Sequence, residues 1–167
     1  KTIISLGTTP PACATNTFDN YNTTLYVPKN SFAQYFIDDM WGNFNIQKIE
    51  ALASSITLNE TNLNLNVGDS KKLISTILPT NATIKNIVWR SNDNSIATVD
   101  QNGLVTGISE GTVLIYACSI DGSNISTTCT VNVEAIKAEA IVLSQSEINL
   151  KVNDKTTLRY TISPTNV

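Results

Sequence analysis

Residues 141–167, IVLSQSEINLKVNDKTTLRYTISPTNV, repeat residues 56–82, ITLNETNLNLNVGDSKKLISTILPTNA, without a gap at an offset of 85 positions. Of the 27 aligned positions, 12 are identical. A repeat of that length is a whole domain rather than a solenoid unit. The fold that begins at Ile56 must therefore be one that can follow itself along a chain, as beads on a string. The 167 residues hold one complete copy, the start of a second, and a different segment in front.

Within the complete copy the apolar residues alternate. Leu63, Leu65 and Val67 form one such run, Val113, Ile115 and Ala117 another, and Cys129, Val131 and Val133 a third. Period-two alternation predicts half-buried strands. Leu73, Ser75 and Ile77 predict a further strand, stopped by Pro79, and Val88–Ser91 brings Trp89 into the core. Turn residues separate the runs at Gly68-Asp69, at Asp100–Gly103 and at Asp121–Asn124. Short strands at even spacing predict a β-sandwich. The organisation expected is a cap over 1–50, a module over 51–135 and a partial second module over 136–167. Ala51–Ser55, short and made of small residues, reads as a limited hinge.

Residues 1–50 follow another pattern. KTIISL and TTLYVP read as strands around a loop in which Pro10-Pro11 forbids helix. Asn30 or Ser31 is placed to cap a helix through Met40, with Phe32, Tyr35, Phe36 and Met40 on one apolar stripe. Trp41–Phe44 breaks it, and Asn45–Ile49 returns as strand. Tyr35, Trp41 and Phe44 are the expected core of this unit.

Composition narrows the function. The net charge is −3 with no basic run, so the cationic face that nucleic acid requires is missing. No basic amphipathic helix or apolar run points to direct membrane insertion. There is no histidine, which removes the commonest general base and neutral metal ligand. The chain starts at Lys1 and stops inside the second copy, so both ends read as internal to something longer.

Two resemblances follow from the motifs. TPP, Phe18, LYVPKNS, Tyr35 and MWGNFNIQKI together resemble the C-terminal end of a BspA-like leucine-rich repeat array, with Asn30 standing where that pattern usually has Gly. LNVGDSKKL, ILPTNA, VWRSNDNSIATVDQNGLVTGISEGTVLI and CTVNV resemble a bacterial immunoglobulin-like domain of group 2, the intimin and invasin type. The implied fold is mainly β: an immunoglobulin-like sandwich, preceded by a small α/β leucine-rich-repeat cap and followed by a truncated second β-module. The implied function is non-catalytic adhesion at the bacterial cell surface or after secretion. The partner would be a host surface or matrix protein, another bacterium, or a glycan. The alternative implied is a carbohydrate- or protein-binding accessory module of a secreted polysaccharide-degrading enzyme. No cofactor follows from either.

Candidate sites are few. Cys118 and Cys129 flank a hairpin and could form a disulfide, though strict alternation puts them on opposite faces unless a bulge intervenes. Cys13 lies in the cap loop without a partner. The turns containing Asn92, Asp93 and Asn94, and Asp121, Ser123 and Asn124, are candidate binding loops. Asp38, Asp39, Asp93, Asp100 and Asp121 fall in turns or at a helix end and match no EF-hand spacing, so they read as turn formers rather than calcium ligands. Residues 141–167 lack the later strands of the module. They are expected to be flexible, to pack on a neighbour, or to pair with a second chain through an open strand edge.

Overall fold

The computed structural model describes residues 2–14 and 17–165. The first unit places β1 (Thr2–Ile4), β2 (Thr24–Pro28) and β3 (Asn45–Ile49) in one parallel sheet, in the order β1-β2-β3. Parallel neighbours need long crossovers. The proline-rich loop supplies the first, and a 3-10 turn, the helix α1 (Phe32–Phe36) and a second 3-10 turn at Trp41–Asn43 supply the next. The expected helix to Met40 is thus a single short turn. The Asp38 carboxylate accepts the amides of Met40 and Trp41 at 3.0 and 2.9 Å, which favours the second turn over continued helix. No side-chain cap forms at Ser31. Phe36, expected on the buried stripe, is exposed, because the helix ends before the stripe completes a second turn.

Tyr35, Trp41 and Phe44 are buried together with Leu25, Val27 and Ile46. The Tyr35 hydroxyl meets Ser5 Oγ at 2.7 Å and the Thr9 carbonyl at 3.1 Å, while Trp41 Nε1 donates to the Pro11 carbonyl at 2.9 Å. Phe18 packs edge-on against Trp41 and Phe44, with centroids 5.0 and 4.9 Å apart. These contacts tie the proline loop to the sheet.

The module begins with β4 (Ser55–Leu58), β5 (Asn62–Asn66), β6 (Ser70–Lys72) and β7 (Ser75–Leu78). It continues through β8 (Ile87–Ser91), β9 (Ala97–Val99), β10 (Leu104–Gly107), β11 (Gly111–Ser119) and β12 (Ser126–Glu134). One sheet has the order β5-β12-β11-β8, and across the core lie β6-β10-β9 and the pair β4-β7. Leu63, Leu65, Leu73, Trp89, Ile115, Cys129 and Val131 fill the interior between them. β5 runs parallel to β12 and every other pairing of the module is antiparallel.

The sequence predicts one strand over Leu73–Ile77, but the chain breaks there between β6, which ends at Lys72, and β7, which starts at Ser75. Leu73 is buried and donates its amide to Gly103, whereas Ile74 turns outward and exchanges hydrogen bonds with Asn59. The backbone thereby leaves β10 and joins β4, crossing from one sheet to another. Gly103 sits at φ +82 with the Leu73 carbonyl only 2.5 Å from where a Cβ would lie, so this crossing requires glycine opposite it.

The last segment forms β13 (Ala140–Leu143) paired with β14 (Tyr160–Ser163). This hairpin reproduces β4 and β7 at the offset of 85. Ser54 N bonds Leu78 O at 2.7 Å and Glu139 N bonds Ser163 O at 2.8 Å. Asp69 and Asp154 close equivalent turns, each carboxylate accepting the amide three residues earlier, of Asn66 and Lys151, at 3.0 Å. The equivalents of β5 and β6 are not strands here. Ile141, Leu150 and Leu158 are exposed where Ile56, Leu65 and Leu73 of the complete copy are buried.

Candidate functional site: the junction of the two units

The five residues expected to hinge are held at nearly every position. Thr83 Oγ1 accepts the amides of Glu50 and Ala51 at 3.0 and 3.1 Å, and Thr83 returns its own amide to the Ala51 carbonyl at 2.9 Å. Ala53 donates its amide to Asp121 Oδ2 at 2.5 Å, and Ser54 donates to Leu78. A backbone segment whose amides are bonded on both sides is a clamp rather than a linker.

Asp121 is the centre of that clamp. It is completely buried. Its Oδ1 accepts the Ser119 hydroxyl and, at 2.9 Å, the Ser123 amide, while Oδ2 takes Ala53. Burial pushes the carboxyl up, but the hydrogen bonds from Ser119, Ser123 and Ala53 outweigh it and hold the group below its ordinary range. The next residue, Gly122, has φ +90, and a Cβ there would stand 2.8 Å from the Leu6 side chain of the first unit. The first unit therefore rests directly on the β11–β12 turn.

Two clefts flank the junction. One of about 360 Å³ is lined by Leu6, Pro28, Ile49, Leu52 and Gly122, with Lys29 and Glu50 paired at 2.6 Å on its rim. The other, about 190 Å³, lies between Ile4 and Tyr26 of the first unit and Ile84 and Ile120 of the module. The rim ion pair is open to solvent and adds little rigidity.

This geometry separates the predicted loop residues. Asn92, Asp93 and Asn94 lie at the end of the sandwich where Asn92 exchanges backbone and side-chain bonds with Leu114. Asp121, Ser123 and Asn124 lie at the opposite end, beyond Ser119. They do not converge on one site. Asp121 is also corrected from binding residue to buried structural ligand, because its oxygens are consumed by amides and a hydroxyl. Asp93 turns its carboxylate onto Ser95, and Asp100 onto the amides of Asn102 and Leu104. Among the described residues, no group of three acidic or cysteine side chains is arranged to hold a metal ion.

The disulfide is likewise corrected. Cys129 pairs with Ile115 and points into the core, while Cys118 pairs with Ser126 on the other face, and the ladder runs from Gly111 to Cys118 without a bulge. Three residues along a strand is about 10 Å, too far for an S–S bond. All three cysteines are free.

Sequence reasoning missed Thr83 and Ala53, which reach partners 32 and 68 positions away. Its one available signal was the small-residue run before Ile56.

The fold and its junction define an immunoglobulin-like β-sandwich held against a small parallel α/β unit. Residues 53–131 match the family of bacterial Ig-like domains (group 2). An uncharacterized protein of Clostridium acetobutylicum is 38% identical over 141 residues, 84% of this chain and 14% of that protein. An α-L-arabinofuranosidase of Bifidobacterium longum is 33% identical over 129 residues, 70% of this chain and 12% of that enzyme. The chain thus spans a small part of the relatives it matches. Among solved structures, domains 4 and 5 of the S-layer protein SbsC superpose with a TM-score of 0.43 at 20% identity, covering 53% of this chain and 55% of that one. An intimin mutant of EHEC O157:H7 superposes with a TM-score of 0.42 at 22% identity, covering 54% and 53%. Among the described residues, no helix is long and apolar enough to cross a membrane.

Proposed function

We propose that this chain is the spacer region of a bacterial cell-surface or secreted adhesion protein. Residues 1–50 are the closing cap of a leucine-rich repeat array that carries the binding face, and the Ig-like modules hold that array at a distance. The observation that carries this reading is the clamp at 50–54, where Thr83, Leu78 and the buried Asp121 fix the backbone between cap and module. A spacer must transmit orientation, and a bonded junction does so where a loose linker does not. The parallel three-strand ladder and the aromatic cover of Tyr35, Trp41 and Phe44 are what a solenoid end needs. The partner, a host surface or matrix protein, another bacterium or a glycan, would meet the array.

Spin labels at Gln47 in the cap and Thr112 in the module test the junction. Pulsed dipolar spectroscopy should return one narrow distance distribution. A broad distribution would remove the basis for a rigid spacer.

A second reading is favoured by the α-L-arabinofuranosidase relative. Here the same module is a non-catalytic accessory of a secreted polysaccharide-degrading enzyme. On both readings the chain itself turns over no substrate, and reproducible hydrolysis of arabinan or xylan by the purified chain would overturn both.

A further inference from the structure

The outward face of the sheet β5-β12-β11-β8 is not explained by folding. The alternation that buries Leu63 and Leu65 leaves Asn62, Asn64 and Asn66 outward on β5; Asn66 closes the following turn by bonding Asp69, which leaves Asn62 and Asn64 to account for. Asn is depleted in strands, and Thr, Val or Tyr would serve that position better. Asn132 repeats the anomaly on β12, between buried Val131 and Val133. Local preference broken in one patch, with no gain in packing, marks a surface kept for another purpose.

The side chains are already ordered across three strands. Thr112 donates to Asn132 Oδ1 at 2.9 Å, and Asn132 Nδ2 donates to Asn64 Oδ1 at 3.2 Å. In the next row Thr130 lies between Asn62 and Leu114. In the third, Tyr116 stands between Thr128 and Arg90. The face carries two charged side chains of opposite sign, Arg90 in the third row and Glu134 beside Asn66 at the far end. The patch extends about 14 Å along β12 and about 14 Å across the sheet.

We infer that this face binds a neutral polysaccharide chain. Sugar hydroxyls donate and accept hydrogen bonds, and so do an amide and a hydroxyl side chain. The half-exposed Tyr116 ring adds an apolar platform for the C–H face of a sugar. An ionic partner would require a cluster of charges of one sign, whereas Arg90 and Glu134 stand singly and apart, and a protein partner an apolar centre larger than Leu114 and Tyr116 provide. Rows that are bonded to each other before binding lose less entropy on contact. The inference goes beyond the spacer reading and does not depend on it, since the face is the module's own.

The test is native affinity electrophoresis of the whole chain in gels holding soluble xylan, β-glucan, galactomannan or arabinan, with heparin as the anionic control. At least one neutral polysaccharide should retard the chain and heparin should not. Tyr116→Ala, and separately Asn64→Thr with Asn132→Thr, should each weaken the retardation at least tenfold. The double threonine variant suits strands, so its melting temperature should hold or rise, which separates lost binding from lost fold. Amide shifts on adding the polysaccharide should gather over Thr128–Asn132. Retardation by none of the four, retardation that the face variants leave unchanged, or shifts gathered at Asn92–Ser95 instead would overturn the inference.

Discussion

At the scale of single residues, Asp121 and Cys129 show how burial changes what a polar side chain does. Asp121 stands in a DGSN turn, where an aspartate ordinarily faces water, yet it is sealed under the first unit and ligated by two amides and a hydroxyl. Asp121→Asn keeps the shape but turns one acceptor into a donor facing other donors. It should lower stability by about 1–3 kcal/mol, measured by denaturant titration at neutral pH. The sign of the pH effect follows from the depressed carboxyl. Its ionised form stabilises the fold above the unfolded value near 3.9, and that contribution disappears as pH falls through the lower folded value. The stability gap between the natural chain and Asp121→Asn should therefore be constant from neutral pH to about pH 5 and should shrink below about pH 4. A gap that widens on acidification would contradict the assignment. Cys129 is pushed up by burial first, and further by the charge of Glu60. Thiol reagents should label Cys13 and Cys118 in the native chain and Cys129 only after unfolding, which mass spectrometry of the labelled peptides would show.

At the scale of elements, alternation and turn chemistry in the sequence located most strands of the module because each signal is local. The signals failed where a strand's fate depended on distant residues. Leu73 and Ile74 look like the middle of one strand, and only Gly103 on one side and Asn59 on the other divide it. The helix through Met40 failed for a nearer reason, the competing carboxylate of Asp38. Of the clamp only the small-residue run before Ile56 was legible, since a buried acceptor and an exposed turn former have the same letter. The second hairpin shows how far local information goes. β13 and β14 keep the pairing of β4 and β7, but their apolar side chains lack the opposing sheet that covers Ile56 and Ile77. Their amides should exchange with deuterium orders of magnitude faster than those of β11, although the same residue pairs are bonded. Equal protection would mean that another surface covers the hairpin.

At the scale of the whole molecule, the parallel pairing of β5 with β12 bears on what tension does to the chain. The chain enters the module through β4, which β7 holds, then forms β5 and leaves at the end of β12, and β5 and β12 are joined side by side from Asn62–Thr130 to Asn66–Glu134. Pulling the ends apart therefore drags the two strands past each other. All the ladder bonds then bear load together in shear, whereas an antiparallel terminal pair would unzip one bond at a time. In single-molecule stretching, the module pulled through its ends should yield in one abrupt event at a higher force than when pulled across the β11–β12 hairpin. On the proposed spacer role, each module would be a link whose strength lies in the direction of the pull.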